Sequence, residues 1–157
     1  MYWLVFSGKR PVLLSVCVIA ISGRPRVSDT RFLYSYPYPL DASLTVERYG
    51  EFIRGSLADL GVAKDAYVAS RGGWFSDRST SFLASGRPVL HQETGFSEWL
   101  PTGAGVLAFC DLEQLVERVE ELDRDYGRHA RAARAIAEEH FEARTVLRGM
   151  LEAAGYR

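Results

Sequence analysis

The sequence has few of the residues that build metal centres or disulfide frameworks. Only two of its 157 residues are cysteines and only three are histidines. Cys17 and Cys110 lie far apart among apolar neighbours, a pattern typical of buried free thiols in a cytosolic protein. His91, His129 and His140 show no close ligand spacing. We therefore expect no structural zinc site, no other bound metal and no disulfide framework.

The sequence also lacks an excess of either charge. It has 19 lysines and arginines and 20 acidic side chains, so its formal net charge is −1. Without a global positive field, we expect no binding to nucleic acid or to an anionic membrane. A hydrophobic content of 47% and a charged content of 25% are those of an ordinary globular protein. We expect one cytoplasmic domain, because this length suffices for a single sizeable core.

Long hydrophobic runs are absent as well. Residues 11–22 form an apolar run that is too short to span a bilayer. The run fits a buried strand, the core of a signal peptide or a leader outside the native fold. Residues 1–40 also differ in composition from the rest, because Asp29 is their only acidic residue. We therefore separate residues 1–40, an uncertain leader or extra strand, from a main domain at residues 41–157.

The main domain begins with two predicted elements. A cap at Ser43 or Thr45 and helical spacing of apolar residues predict an amphipathic helix that ends at Gly61. The apolar positions are Val46, Tyr49, Phe52, Ile53, Leu57 and Leu60. Residues 66–69 are a strand candidate before a glycine pair.

Residues 74–95 carry the clearest local pattern. Ser76 or Asp77 is suited to cap a short helix, and Gly86 is suited to end it in the left-handed conformation. An apolar strand follows from Val89, and a polar loop comes after it. The order is therefore helix, tight turn, strand and loop.

Arg78 lies at the predicted start of that helix. The first backbone N–H groups of a helix have no intrahelical partner and carry the positive end of its dipole. Together with Arg78 they form a suitable seat for a diphosphate. The alternative is a surface arginine in an ordinary α/β unit.

The rest of the chain completes an alternating pattern. Residues 106–109 are predicted to form a buried strand, and Asp111 with Gln114 resembles a capping box that opens a helix. Two more helices are predicted near residues 126–141 and 146–154. Alternating strands and helices, with helices at the end, predict an α/β fold with a parallel sheet. Ligands bind outside the carboxyl ends of such strands, where we expect the loops at residues 72–78 and 91–96 to meet.

Several motifs in this order resemble the donor-binding half of GT-B-type glycosyltransferases, closest to group-1 members. They are Arg78, then Leu-Ala-Ser-Gly-Arg-Pro-Val at residues 83–89, Thr-Gly-Phe at 94–96 and Gly-Ala-Gly-Val-Leu-Ala-Phe at 103–109. Arg78 precedes the motif glycine by eight residues, as an arginine does in members like spore-maturation glycosyltransferases. The resemblance covers the chain from about residue 44 to its end. It implies a Rossmann-like sheet with flanking helices and C-terminal helices.

The resemblance also implies a ligand and a site. The expected ligand is a UDP- or GDP-sugar bound without a metal ion or other cofactor. The implied binding residues are Arg78, Ser79, Thr80, Gly73, Glu93, Thr94 and Gly95. We expect Arg78 and the amides near Ser79 and Thr80 to neutralise the diphosphate.

Two departures from the family limit what is expected. Many retaining members carry two glutamates seven residues apart, and the matching positions here are Gly73 and Ser81. No catalytic residue or stereochemistry is therefore carried over. The chain also resembles only the donor half, so we expect an incomplete hexosyltransferase that is inactive without an acceptor-binding domain. A homodimer is a further expectation, and a non-catalytic interaction module with a vestigial pocket is the alternative function.

Overall fold

The computed structural model describes residues 44–156 and, before them, the backbone of four short strands. These are β1 (Tyr2–Ser7), β2 (Arg10–Ser15), β3 (Ile19–Ala20) and β4 (Tyr34–Ser35). β1 pairs antiparallel with β2, and β3 pairs antiparallel with β4. The apolar run at residues 11–22 thus contributes to two antiparallel ladders, and neither belongs to the parallel sheet described next. Cys17 and the cap candidate Ser43 lie outside the described residues.

A parallel sheet organises the described part of the main domain. Its strands are β5 (Asp59–Gly61), β6 (Val89–Gln92) and β7 (Val106–Phe109), in the order β5-β6-β7. Leu60 lies opposite Leu90, and Leu90 lies opposite Leu107. The predicted α/β class and parallel sheet are confirmed.

The first helix is shorter than the sequence pattern suggested. Helix α1 (Val46–Gly55) starts behind Thr45, whose hydroxyl accepts the Arg48 amide at 3.3 Å. It ends at Gly55 because Ser56 adopts an extended backbone with ψ 149°. The predicted end at Gly61 is wrong, since Leu60, the last residue of that apolar pattern, lies in strand β5. Period alone does not separate a helix end from a short buried strand.

The strand predicted at residues 66–69 is also wrong. This segment lies in helix α2 (Asp65–Ser70), where the amides of Tyr67 and Val68 both donate to the Lys64 carbonyl. No residue of α2 is buried. The segment therefore satisfies its backbone locally rather than in a ladder.

The pattern around Gly86 is confirmed in detail. Helix α3 (Asp77–Ala84) ends with Gly86 at φ +66°, and the Gly86 amide donates to the Leu83 carbonyl. The Arg87 amide donates to the Phe82 carbonyl, which completes a Schellman motif. Strand β6 then runs further than predicted, through His91 and Gln92.

Three helices follow the sheet. Helix α4 (Leu112–Arg124) begins behind Asp111, which accepts the Gln114 amide as predicted, while the Gln114 side chain accepts the Cys110 amide. Helices α5 (Tyr126–His140) and α6 (Ala143–Ala153) complete the chain. None of the helices in the described residues is long and apolar enough to cross a membrane.

Buried side chains lie on both faces of the sheet. One cluster joins α1, α3 and α5 through residues such as Ile53, Phe82 and Ile136. The other joins α4 to the opposite face through Leu90, Leu107 and Leu115. Helix α6 belongs to neither cluster, because none of its side chains is buried. The two clusters hold the sheet between helices and so fix its carboxyl edge.

Candidate functional site

Two loops meet at the carboxyl edge of the sheet. The Gly73 amide donates to the Thr94 carbonyl at 2.9 Å, and the Thr94 hydroxyl donates to the Trp74 carbonyl at 2.5 Å. The Trp99 indole N–H donates back to the Gly73 carbonyl at 3.1 Å. The expected convergence of these loops is confirmed. Thr94 is fully buried, so its hydroxyl serves the loop contact.

Gly95 is required at the closest approach of these loops. It has φ +94°, and a Cβ atom placed there would lie 2.5 Å from the Arg71 carbonyl oxygen. Its amide donates to Glu93 Oε1 at 2.5 Å. Of the implied site residues, Gly73, Thr94 and Gly95 therefore lie where the two loops touch, and Glu93 braces the second loop from within.

Aromatic rings fill the space beneath the loops. Trp74 stacks on Tyr67 with ring centroids 5.0 Å apart and planes 8° apart. The Phe75 ring lies 4.9 Å from His91 and 5.3 Å from Phe96. These contacts pack Phe75, in the segment just before helix α3, against the core.

Arg78 lies in the first turn of α3, as predicted. Its Nε donates to Asp59 Oδ1 at 3.0 Å, and its Nη2 donates to the Leu60 carbonyl at 3.2 Å. The Arg78 side chain is 29% exposed, whereas that of Asp59 is fully buried. The guanidinium is therefore fixed alongside strand β5, with part of it open to solvent.

Ser79 and Thr80 are committed to internal contacts. Ser79 is buried, and its hydroxyl donates to Asp59 Oδ2 at 2.7 Å. The Thr80 hydroxyl donates to the Asp77 carbonyl at 2.6 Å, and its amide donates to the Ser76 carbonyl at 3.3 Å. Neither hydroxyl points a free donor at a ligand in this state.

The amides at the start of α3 are only partly free. Asp77 Oδ1 accepts the Arg78 amide at 2.8 Å, and the Ser76 side chain makes no cap. In the described part of the chain, the amides of Asp77 and Ser79 have no hydrogen-bond partner. The exposed Asp77 carboxylate also puts negative charge at the anion site. Because Ser79 is fully buried, an anion would be held by Arg78 and the Asp77 amide, against one nearby carboxylate.

His91 lies on strand β6 beneath these loops. It is fully buried, and its Nδ1 lies 2.8 Å from the Gln92 carbonyl, while its Nε2 has no partner within the described residues. Burial lowers the pKa of His91 below its ordinary value of 6.5, so the ring is neutral near pH 7. The ring occupies the space that a side chain at Gly61 would need, with Nε2 2.8 Å from a Cβ placed there.

The site residue missed from sequence is Asp59. The sequence does contain an indication of this residue, because Asp59 is an acidic residue between Ala58 and Leu60 in an apolar stretch. Lysine, arginine and the acids are almost never fully buried unless they are paired. If residues 58–60 are assigned to a buried strand, Asp59 is predicted to pair with a basic side chain, which is Arg78 in the structure.

A family model described as glycosyl transferase-like matches residues 17–152. The chain belongs to this glycosyltransferase family. The match agrees with the C-terminal half of GT-B enzymes of the group-1 type, as the motifs suggested. No curated protein and no solved structure gives a significant match.

Membership of the glycosyltransferase family supports a transferase in general terms. Among the residues that the structure describes, no group of three or more histidine, cysteine or acidic side chains is placed to hold a metal ion.

Proposed function

We propose that this domain binds the diphosphate of a nucleotide-sugar donor, a UDP- or GDP-sugar, at the start of helix α3. The observation that carries the proposal is the state of Arg78, which is held in one orientation and still partly exposed. Binding needs no metal ion, because the guanidinium and the helix amides supply the positive field.

The hydrogen-bond count of Arg78 supports this role. A guanidinium has five N–H donors, and here Nε–H and one Nη2–H are engaged. Nη1 has no partner in the part of the chain that the structure describes. One N–H of Nη1 and the remaining N–H of Nη2 lie on the same edge of the guanidinium, and this edge matches the bidentate geometry that arginine uses on phosphate oxygens.

The nearby charges set the strength of binding. The Asp77 carboxylate at the first turn opposes an incoming anion, and the buried Asp59 carboxylate neutralises part of the Arg78 charge. Electrostatics at this site therefore favour a diphosphate only modestly. We expect weak affinity for the nucleotide alone.

Transfer of a hexose needs more than this half supplies. Catalysis requires an acceptor held in attack geometry and, for inversion, a positioned base. We propose that a separate acceptor-binding domain provides them and that the donor domain alone transfers no sugar at a useful rate. Labelled UDP-glucose, UDP-galactose and GDP-mannose test this, and rapid transfer by the isolated chain would contradict it.

Isothermal titration of UDP and GDP tests the binding site directly. Arg78→Ala should weaken the binding of either nucleotide by about 10- to 150-fold, since a charge-assisted hydrogen bond contributes about 1.5–3 kcal/mol. The affinity for UMP and GMP, which lack the second phosphate, should fall much less on the same substitution.

Arg71→Ala is the matched control for charge. Arg71 lies in the adjoining loop, is 62% exposed and pairs with Glu98 at 3.2 Å. The Arg71→Ala substitution removes one positive charge near the site and leaves Arg78, the proposed phosphate ligand, unchanged. Equal losses for the two arginine variants would show that Arg78 makes no direct contact with the nucleotide.

One observation favours a second function, a non-catalytic interaction module. Helix α6 exposes Val146, Leu147, Met150 and Leu151, each between 43% and 63%. Exposed apolar faces of this kind seek cover, either in a partner or in a second copy. A chain that binds no nucleotide but sediments as a dimer or complex through α6 would favour this function.

A further inference from the structure

Asp59 is the most deeply buried charge at the candidate site. It is the first residue of β5 and is fully buried, and its backbone amide donates to the Pro88 carbonyl at 3.0 Å. Its Oδ1 accepts from Arg78 and its Oδ2 accepts from Ser79. One carboxylate thus connects the sheet to two consecutive residues in the first turn of α3.

Stability alone explains this arrangement poorly. Removing a carboxylate from water is costly, and replacing a buried ion pair by well-packed apolar residues is often neutral or stabilising. Its neighbours along and across the sheet are apolar, since Ala58 before it and Val89 opposite it on β6 are both buried. What the carboxylate provides, and an apolar side chain does not, is a fixed direction for its partners.

The direction matters most for Arg78. A free arginine side chain samples many rotamers and loses that conformational entropy when it is fixed. Asp59 holds Nε and the Leu60 carbonyl holds Nη2, and because the guanidinium is planar the direction of Nη1 is fixed as well. The cost of ordering Arg78 is then met on folding rather than on binding.

We infer that Asp59 is a positioning residue of the anion site, which holds Arg78 so that its Nη1 edge faces the diphosphate. The inference rests on the proposed function, because it assigns Asp59 a role in nucleotide affinity. Asp59 acts through Arg78 and makes no contact with the ligand.

A double-mutant cycle on UDP affinity tests this inference. Asp59→Asn keeps the shape of the side chain but replaces the ion pair with Arg78 by a hydrogen bond to a neutral acceptor. We expect it to weaken UDP about three- to tenfold in the wild-type background and not at all in the Arg78→Ala background. If Asp59 acted only by repelling the diphosphate, Asp59→Asn would raise the affinity for UDP in both backgrounds, whereas the positioning role predicts a decrease.

Arg78→Lys gives a conservative comparison. Lysine keeps the charge but lacks the planar fork that joins Asp59 to the ligand. It should bind UDP more weakly than the wild type, and adding Asp59→Asn should change that affinity by less than twofold.

Ser79→Ala covers the case in which Asp59→Asn does not fold. It removes one of the two hydrogen bonds on the carboxylate and leaves every charge in place. In the chain that keeps Arg78, this variant should lower the affinity for UDP about two- to threefold. In the Arg78→Ala background it should leave the affinity unchanged.

The outcomes separate the two ideas. If the wild-type chain binds neither UDP nor GDP, the proposed function fails and the inference fails with it. If the wild type binds and Asp59→Asn causes the same loss in both backgrounds, nucleotide binding stands and the positioning role is wrong. The Nε–H proton of Arg78 gives a readout without ligand, since its NMR signal should exchange slowly in the wild type and rapidly in Asp59→Asn.

Discussion

Gly95→Ala should separate the two loops that build the candidate site. Gly95 has φ +94°, where a residue with a Cβ atom is strained by about 1–2 kcal/mol. The new Cβ would also lie 2.5 Å from the Arg71 carbonyl oxygen and 3.3 Å from the Gly73 amide nitrogen. Both neighbours are backbone atoms, so relief requires movement of the loop at residues 71–73. We add about 1–3 kcal/mol for this overpacking, which gives a total of about 2–5 kcal/mol.

Gly103→Ala provides a matched control for the backbone. Gly103 has φ +92°, nearly the same conformation, but nothing lies within 4 Å of a Cβ placed there. Gly103→Ala should therefore lower the free energy of unfolding only by the cost of the strained backbone conformation, about 1–2 kcal/mol. The difference between the two losses in free energy of unfolding gives the steric cost at the Arg71 carbonyl.

Urea unfolding followed by far-ultraviolet circular dichroism measures both variants. With a denaturant slope of about 2 kcal/mol per molar, Gly95→Ala should unfold at a urea concentration about 0.5–1.5 M below Gly103→Ala. Coincident midpoints would refute the reasoning, because they would show that the two loops do not touch as closely as described.

Three further predictions concern packing, pH and charge. Gly61→Ala should cost about 1–3 kcal/mol in urea unfolding, since its Cβ would meet the His91 ring, and His91→Ala in the same chain should recover part of that loss. Burial lowers the pKa of His129, whose Nδ1 accepts the Gly105 amide at 3.3 Å. The unfolded state therefore binds the proton more tightly, so the free energy of unfolding should fall as pH drops below about 6.5. His129→Gln should reduce that slope and leave the share of His91, whose pKa burial also lowers. Asp77→Asn should tighten UDP about two- to fivefold in isothermal titration, and unchanged affinity would place the anion away from this turn.

The sequence predicted best where one residue type decides the backbone. Gly86 and Asp111 each have a chemical reason to end or begin a helix, and both predictions are confirmed. The helix end at Gly61 failed because Leu57 and Leu60 satisfy a helical period while Ser56 turns the chain out of the helix. Whether a short apolar stretch becomes a helix end or a strand depends on a neighbouring strand, here β6, which lies about thirty residues away in sequence.

The candidate site was predictable in place but not in its contacts. Parallel strands place their loops at one edge, so the meeting of residues 72–78 with 91–96 followed from the fold class. The partner of Arg78 did not follow, because Asp59 lies 19 residues earlier and was assigned to a helix. Roles of Arg78, Ser79, Thr80 and Glu93 in binding stay predictions.

Helix α6 has a consequence for the dynamics of the chain. Its 11 residues include no buried side chain, and an isolated helix shorter than about 12–15 residues is only marginally stable in water. Its amide protons should therefore exchange with deuterated solvent by local fraying, long before those of β6 open with the core. A partner that covers Leu147 and Met150 would slow that exchange, so the protection of this helix reports directly on whether the domain is docked.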